Sequence, residues 1–164
     1  MLCGCENKYF NCKNPKDVVA ETFYVIANLY STQKNYQLSN FYMKISLFLN
    51  DKFIPNKLLL AENFFNQQKY EIVKKTYKSV KSIGSIYSWY ASVKLATIFS
   101  ETKNKDYSTS YLEKEFNLLN KPDFENCYEL ANFFKENEYY KKSIKYYSLA
   151  LKKIKKGHFL IPKI

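Results

Sequence analysis

The chain has 164 residues, of which 46% are hydrophobic and 18% aromatic, a composition too apolar for a disordered protein. Only three glycines and four prolines occur. That is too few for the many turns of an all-β fold, so an all-α fold is predicted. The net charge of +11 comes from lysine alone. Because arginine makes the bidentate contacts to phosphate and guanine, its absence weakens the case for nucleic acid as a partner.

Apolar residues spaced three and four apart predict eight amphipathic helices. In chain order these helices span residues 16–32, 36–50, 56–67, 70–81, 87–101, 107–119, 124–136 and 139–155. Polar turns separate the two helices of each pair. Helix breakers, among them Gly84 and Pro122, separate one pair from the next, because glycine can end a helix and proline stops one and lets the next begin.

A pattern of small and aromatic residues recurs every 34 or 35 residues. An alanine that follows an aliphatic residue and precedes an aromatic one by three places stands at Ala27, Ala61, Ala96 and Ala131. Because small residues are needed where two helices cross closely, each repeat is predicted to be a helical hairpin. A tyrosine stands nine places after three of the alanines. Tyr107 stands eleven after Ala96, which predicts two extra residues in the third turn and small residues out of register in the helix that follows.

The repeat resembles the tetratricopeptide repeat, a helix–turn–helix unit of 34 residues. The resemblance is carried best by "FYVIANLYSTQKNYQLSNFYMKISLFLN" and "CYELANFFKENEYYKKSIKYYSLALK", and it covers residues 16–156. It implies an α-solenoid of about four antiparallel hairpins stacked into a right-handed superhelix, similar to long bacterial proteins of this family. A period of 35 also fits the pentatricopeptide repeat, which binds RNA one base per unit. The positions of the aromatic and small residues fit the tetratricopeptide scheme better.

The resemblance also implies a division of the chain. Residues 1–15 would be an N-terminal segment, poorly structured or part of a missing unit. The four units would span residues 20–53, 54–88, 89–123 and 124–157. Residues 157–164 would be a C-terminal tail or the start of a further unit.

The function that the resemblance implies is a non-catalytic scaffold, whose first helices line a concave groove for a peptide or a partner protein. Transferred position by position, the groove residues are Tyr24, Asn28, Leu58, Glu62, Phe65, Tyr90, Lys94, Tyr128 and Asn132. One variant of the family clamps a C-terminal carboxylate with a lysine at the position of Tyr24. No such clamp is predicted here.

The last predicted helix is strongly basic and supports an alternative function. It carries Lys141, Lys142, Lys145, Lys152 and Lys153, with Lys155 and Lys156 following. A lysine-rich helical-repeat protein could bind RNA or an anionic membrane surface. We prefer the alternative that these lysines form the solvated outer face of a terminal helix and have no binding role.

No enzyme, metal or cofactor chemistry is predicted. The spacing of Cys3, Cys5 and Cys12 does not fit a zinc site, and Cys127 and His158 lie far from them in the sequence. Glu113 and Glu115 are expected to be helix-surface acids rather than a catalytic carboxylate pair.

The two ends of the sequence predict further association. An apolar "HFLIPKI" at the C-terminus and a cysteine cluster at the N-terminus suggest a longer repeat array, or self-association through exposed terminal repeats. No apolar run approaches the ~20 residues needed to cross a bilayer. The expected location is the cytoplasm by default, or the cell envelope if a longer precursor carries an export signal.

Overall fold

The computed structural model of the chain describes residues 10–154, apart from the side chains at positions 85 and 86. Eight α-helices occupy most of this range: α1 (Pro15–Thr32), α2 (Tyr36–Leu49), α3 (Ile54–Asn66), α4 (Tyr70–Lys81), α5 (Ser85–Thr102), α6 (Lys105–Asn117), α7 (Phe124–Glu136) and α8 (Tyr140–Lys153). Every predicted helix is present, and each of its ends lies within two residues of the prediction. No helix in the described range is long and apolar enough to cross a membrane.

The helices belong to two compact units, Met1–Val80 and Lys81–Ile164. In the first unit, α1 and α2 form a hairpin, and both contact α3. In the second unit, α5 pairs with α6 and α7 pairs with α8, while α5 and α6 also contact α7. Consecutive helices that pack as neighbouring hairpins are the architecture of an α-solenoid, which confirms the predicted fold class.

The four repeat alanines are at most 1% exposed, and Ala27, Ala96 and Ala131 lie where the two helices of a hairpin pack together. In three hairpins a serine of the second helix, twelve residues after the alanine, donates its Oγ–H to the alanine's backbone oxygen. These bonds are Ser39 to Ala27 (2.7 Å), Ser108 to Ala96 (2.7 Å) and Ser143 to Ala131 (3.0 Å). A buried hydroxyl without a partner would cost about 1–3 kcal/mol, so the bond makes a small polar residue acceptable at the crossing. Val73 occupies this position in the remaining hairpin and is fully buried.

The third repeat keeps the spacing of the others, so the predicted two-residue insertion is wrong. Helix α6 begins at Lys105, nine residues after Ala96, as the other second helices begin nine residues after their alanines. Tyr107 is therefore the third residue of α6, and Ser108 is in register. What differs in this repeat is the turn, where Lys103 has φ −124° and ψ −95°.

The other three hairpin turns each contain a residue in the left-handed conformation. These residues are Lys34 (φ 60°), Gln68 (φ 59°) and Glu138 (φ 72°). In the first turn the backbone N–H of Asn35 donates to the carbonyl of Tyr30 (2.9 Å), and that of Lys34 donates to the carbonyl of Ser31 (2.9 Å). This pair of bonds is a Schellman motif, which satisfies carbonyls that a helix end leaves without partners.

Replacing a left-handed residue by glycine should stabilise the protein. Glycine adopts positive φ without the steric cost that a Cβ brings, so Gln68→Gly is expected to raise the free energy of unfolding by about 0.5–1 kcal/mol. Lys103→Gly serves as the control, because the φ of Lys103 is negative. Glycine there only adds entropy to the unfolded chain, so this variant should not be more stable than the parent. Urea denaturation followed by circular dichroism measures both. A Gln68→Gly variant that is less stable than the parent would contradict the turn geometry.

Gly84 lies between α4 and α5, as predicted, and it does so at the start of α5. Helix α4 ends at Lys81, and Gly84 is the N-cap of α5 with φ 169° and ψ 170°, an extended conformation open to any residue. Its sequence position thus marks where α5 begins, and no left-handed turn requires the glycine.

The described part of the N-terminal segment is attached to the first unit. The backbone N–H of Asn11 donates to Oδ2 of Asp17 (2.8 Å), and the ring of Phe10 lies 5.8 Å from that of Phe53. Residues 1–9 and the C-terminal segment 157–164 lie outside the described residues.

Candidate partner-binding faces

The predicted groove residues are divided between the two units. We call Tyr24, Asn28, Leu58, Glu62 and Phe65 the first face, which lies on α1 and α3. We call Tyr90, Lys94, Tyr128 and Asn132 the second face, which lies on α5 and α7. All nine positions belong to first helices of hairpins, as the repeat assignment requires.

Within the first face, α1 and α3 bring Tyr24 and Glu62 together. The ring of Tyr24 meets Phe53 edge-on, with ring centroids 5.4 Å apart. Burial raises the pKa of Tyr24, and the nearby Glu62 carboxylate raises this pKa further. Asn28 is exposed one turn after Tyr24, and Leu58 is half-buried one turn before Glu62. These four side chains therefore combine apolar, amide and acidic groups on two adjacent helices.

Phe65 lies at the turn end of the second hairpin. Its ring is 5.6 Å from that of Tyr70, the first residue of α4, and Phe65 is half-buried. Part of this ring is therefore used in packing within its own hairpin.

In the second face, Tyr128 and Asn132 are connected to α8 through Tyr147. The Tyr128 ring stacks on Phe124 at 5.6 Å and meets Tyr147 at 5.7 Å, yet Tyr128 stays 41% exposed. The Tyr147 hydroxyl donates to Oδ1 of Asn132 at 2.5 Å. The amide of Asn132 is thus held in one orientation beside an exposed aromatic ring.

Tyr90 and Lys94 form a pair on α5. The Lys94 ammonium lies 5.4 Å from the centre of the Tyr90 ring, one helical turn away. Such a cation–π contact contributes about 0.5–1 kcal/mol at exposed sites. Both side chains are half-buried.

Glu113 is a packing residue, contrary to its prediction as a helix-surface acid. Its Oε2 accepts a hydrogen bond from Lys142 Nζ (2.6 Å) and its Oε1 accepts one from the Tyr146 hydroxyl (2.9 Å). Burial alone would raise the pKa of Glu113, but the bonds from Lys142 and Tyr146 outweigh it and lower that pKa. Glu113 therefore connects α6 to α8. Helical spacing places Glu113 on the same side of α6 as the buried Phe116, but it does not identify Lys142 and Tyr146 as the partners of Glu113.

Two other acidic residues also contact neighbouring helices. Glu129 Oε2 accepts a 2.5 Å hydrogen bond from Trp89 Nε1, which joins α5 to α7. Glu115 Oε2 accepts a bond from Ser92 Oγ (3.3 Å), which joins α6 to α5. The prediction for Glu115 as a plain surface acid is therefore also wrong.

Tyr146 should make the second unit sensitive to high pH. Burial, followed by the hydrogen bond to Glu113, raises the pKa of Tyr146 from 10.0 to about 12. The stabilisation is present below the unfolded pKa and is lost as pH rises from 10 towards 12, because only the unfolded chain ionises there. At pH 11 the loss from this residue is about 1.4 kcal/mol. Tyr146→Phe should remove this part of the alkaline decline.

The test compares urea denaturation at about pH 8 and about pH 11, read by the fluorescence of Trp89 in the same unit. Tyr140→Phe is the matched control, because Tyr140 is 61% exposed on the same helix. Equal alkaline declines in the parent and in both variants would show that Tyr146 is not the residue responsible.

The lysines of α8 are partly engaged in packing. Lys142 binds Glu113 and lies 5.1 Å from the centre of the Phe134 ring, while Lys145 lies 5.2 Å from that of Tyr146. Lys141, Lys152 and Lys153 are exposed. Lys155 and Lys156 lie outside the described residues.

The candidate metal ligands are not brought together in the described part of the chain. Cys12 and Cys127 are free thiols, and burial raises the pKa of Cys127. Within residues 10–154 no three histidine, cysteine, aspartate or glutamate side chains are grouped so that they could hold a metal. Cys3, Cys5 and His158 lie outside this range.

Comparison with known proteins shows the fold. No family model matches the chain, and no curated protein matches it. The crystal structure of MamA, a tetratricopeptide-like helical-repeat protein, is similar with a TM-score of 0.58 and 15% sequence identity, over 86% of this chain and 80% of MamA. At this identity the likeness concerns the fold alone. The chain therefore has a helical-repeat, α-solenoid fold like that of MamA.

Proposed function

We propose that this chain is a non-catalytic, tetratricopeptide-like scaffold that binds a peptide or a partner protein along the first helices of its hairpins. The observation that supports this most directly is the contrast between the buried helix crossings and the surface of three first helices. Small residues are buried where helices cross, while Tyr24 and Asn28 on α1, Tyr90 on α5, and Tyr128 and Asn132 on α7 stay at least partly exposed. Exposed aromatic rings supply apolar contact area, and amides supply hydrogen bonds.

Asn28 and Asn132 are the residues proposed to form hydrogen bonds with the backbone of a bound peptide. Each follows a repeat alanine directly, so the two occupy the same repeat position in different units. A side-chain amide can donate to a peptide carbonyl and accept from a peptide N–H. An extended backbone offers both groups at every residue. Tyr24 and Tyr128, one turn before each asparagine, would contact the side chains of the bound peptide.

The test is selection of binding peptides from a random library against the whole chain, followed by measurement of affinity with variants. Asn28→Ala and Asn132→Ala should weaken the selected peptides by about five-fold or more each, as expected when a contact of about 1 kcal/mol is lost. Asn66→Ala and Asn117→Ala are matched controls, because both asparagines are exposed and lie outside the two faces.

Two outcomes would contradict the proposal. One is a library that yields no peptide with measurable affinity for the folded chain. The other is a set of peptides whose affinity falls in Asn66→Ala or Asn117→Ala but not in Asn28→Ala or Asn132→Ala.

Polyanion binding is the second candidate function, and the exposed lysines of α8 favour it. If RNA or an anionic membrane were the partner, log affinity should fall linearly with log salt, with a slope set by the number of phosphates neutralised. Replacing Lys152 and Lys153 by glutamine should then reduce that slope by about two. Affinity for RNA or anionic vesicles that does not depend on salt would exclude this function.

We also propose that the chain associates with a second copy of itself through α2. Helix α2 exposes Leu38 (40%), Phe41 (56%) and Phe48 (88%) along one side. The hairpin α1–α2 carries three lysines and two acidic residues, a net charge of +1, so two copies could meet there without the repulsion that the +11 chain experiences elsewhere. Light scattering should show a dimer that Phe41→Glu disrupts. A monomer at all concentrations would contradict it.

A further inference from the structure

We infer that the turn of the first hairpin holds a binding site for a carboxylate. An open cavity of about 490 Å³ lies at this turn, and we call it the turn cavity. It is lined by Gln33, Lys34, Asn35, Tyr36, Gln37 and Gln67. The inference rests on the proposed scaffold function, because it specifies an acidic group in the partner. It concerns the turn end of the first unit and not the two faces.

The first argument is an unsatisfied donor. Gln67 lines the turn cavity, and its Nε2 atom is buried with less than 1 Å² of accessible surface and no hydrogen-bond partner in the described structure. A buried amide N–H that lacks an acceptor costs about 1–3 kcal/mol. An acceptor oxygen in the cavity removes this cost once the Gln67 side chain rotates, because its Nε2 atom has less than 1 Å² of accessible surface as it stands.

The second argument is the charge of the lining. Lys34 is the single ionised side chain among the lining residues, and no acidic residue is present there. Its left-handed backbone (φ 60°) places it between the end of α1 and the start of α2. The neighbouring first turn of α2, a helix of 14 residues, carries Tyr36 and Gln37 in the lining, and the positive end of a helix dipole favours an anion.

These features favour a carboxylate over a phosphate. One ammonium group matches the single charge of a carboxylate, whereas phosphate sites commonly use arginine forks or several cations. The amide of Gln67 and the ammonium of Lys34 offer one donor to each of two oxygens. The carboxylate can come from an acidic side chain or from a chain terminus, and both share this chemistry.

The experiment titrates three acetylated tripeptides into the ¹⁵N-labelled chain and follows the amide signals of Gln67, Tyr36 and Gln37. One peptide has a central aspartate and an amidated end, one has glycines and a free terminal carboxylate, and the third has a central asparagine and an amidated end. The first two separate the two sources of carboxylate. We expect saturable shifts with at least one of them and none with the asparagine peptide.

Gln67→Glu puts a negative charge into the turn cavity and should weaken carboxylate binding about ten-fold or more, as the loss of a charge-assisted hydrogen bond predicts. Gln68→Glu makes the same change at an exposed neighbour outside the lining and should weaken binding less than about three-fold. Lys34→Asn removes the ammonium, and asparagine tolerates positive φ, so this variant should also weaken binding. It keeps the test decisive if Gln67→Glu disturbs folding.

The inference is overturned if the carboxylate peptides shift none of these signals beyond the asparagine peptide, or if Gln67→Glu and Gln68→Glu weaken binding equally. Inorganic phosphate that binds more tightly than the aspartate peptide at matched ionic strength would also overturn it. Because these probes report only on the turn, this result is independent of the library selection that tests the two faces.

Discussion

Replacing Phe134 by alanine should destabilise the second unit by about 3–5 kcal/mol, the range found when a fully buried phenylalanine is truncated. Phe134 is 0% exposed and stacks on Tyr146 with ring centroids 5.5 Å apart. It belongs to the core cluster that contains Trp89, Leu112, Phe116 and Leu130. Removing the ring would leave a cavity that helices joined by short turns cannot close. For a unit of this size the loss corresponds to a fall in Tm of roughly 15–30 °C.

The single tryptophan makes this measurement specific. Trp89 is 6% exposed and lies in the same cluster as Phe134, so its fluorescence during urea denaturation reports on the second unit. Tyr140→Ala is the control, because Tyr140 is 61% exposed and an aromatic ring is removed from the same unit. The control should change the free energy of unfolding by less than about 0.5 kcal/mol. A Phe134→Ala variant as stable as the control would show that the ring is not part of a packed core.

The repeat could be predicted from the sequence because its evidence is local and occurs four times. The spacing of Ala27, Ala61, Ala96 and Ala131 fixes which side of each first helix is buried. The third repeat gives a wrong register because Lys105 stands where the other repeats have a tyrosine, and Tyr107 follows only two residues later. The structure corrects this through the bond from Ser108 to Ala96, which only the true register allows.

Contacts between hairpins could not be predicted in the same way. Glu113 and Tyr146 are 33 residues apart, and their hydrogen bond depends on how α6 and α8 are rotated about their axes. Periodicity says which side of a helix is apolar, but it does not say which acidic residue at the edge of that side meets a partner. The candidate faces have the same limitation. The exposure of Asn28 and the partial burial of Tyr24 depend on how α1 packs against α3. No spacing rule predicts that packing.

Replacing Asn63 by aspartate should destabilise the first unit by about 3 kcal/mol or more, because it removes two donated hydrogen bonds and buries a charge. Asn63 is 0% exposed. Its Nδ2 donates to Ser39 Oγ (2.8 Å) and to Asn40 Oδ1 (3.0 Å), and its Oδ1 accepts from Ser31 Oγ (2.6 Å). One amide on α3 therefore joins both helices of the first hairpin, and it contacts the serine that is bonded to Ala27.

The pH dependence of the loss separates a buried charge from a mere change of shape. Burial raises the pKa of a carboxyl group, so the folded Asn63→Asp variant binds a proton at a pH where the unfolded chain does not. Its deficit relative to the parent should therefore shrink as pH falls from about 7 to about 4, since a protonated carboxyl regains one O–H donor. Asn66→Asp is the matched control on the same helix; Asn66 is exposed, and the cost should stay under about 1 kcal/mol at both pH values.

Amide hydrogen exchange in α1, α2 and α3 measures the effect within the first unit, which has no tryptophan to report on it. Asn63→Asp should lose protection in all three helices together, because the amide of Asn63 is the common point of their polar contacts. Loss of protection confined to α3 would mean that Ser31, Ser39 and Asn40 find other partners when the amide is gone. In that case the first hairpin would be stable without α3, and hydrophobic packing of Ala27, Met43 and Leu59 would account for the association of the three helices.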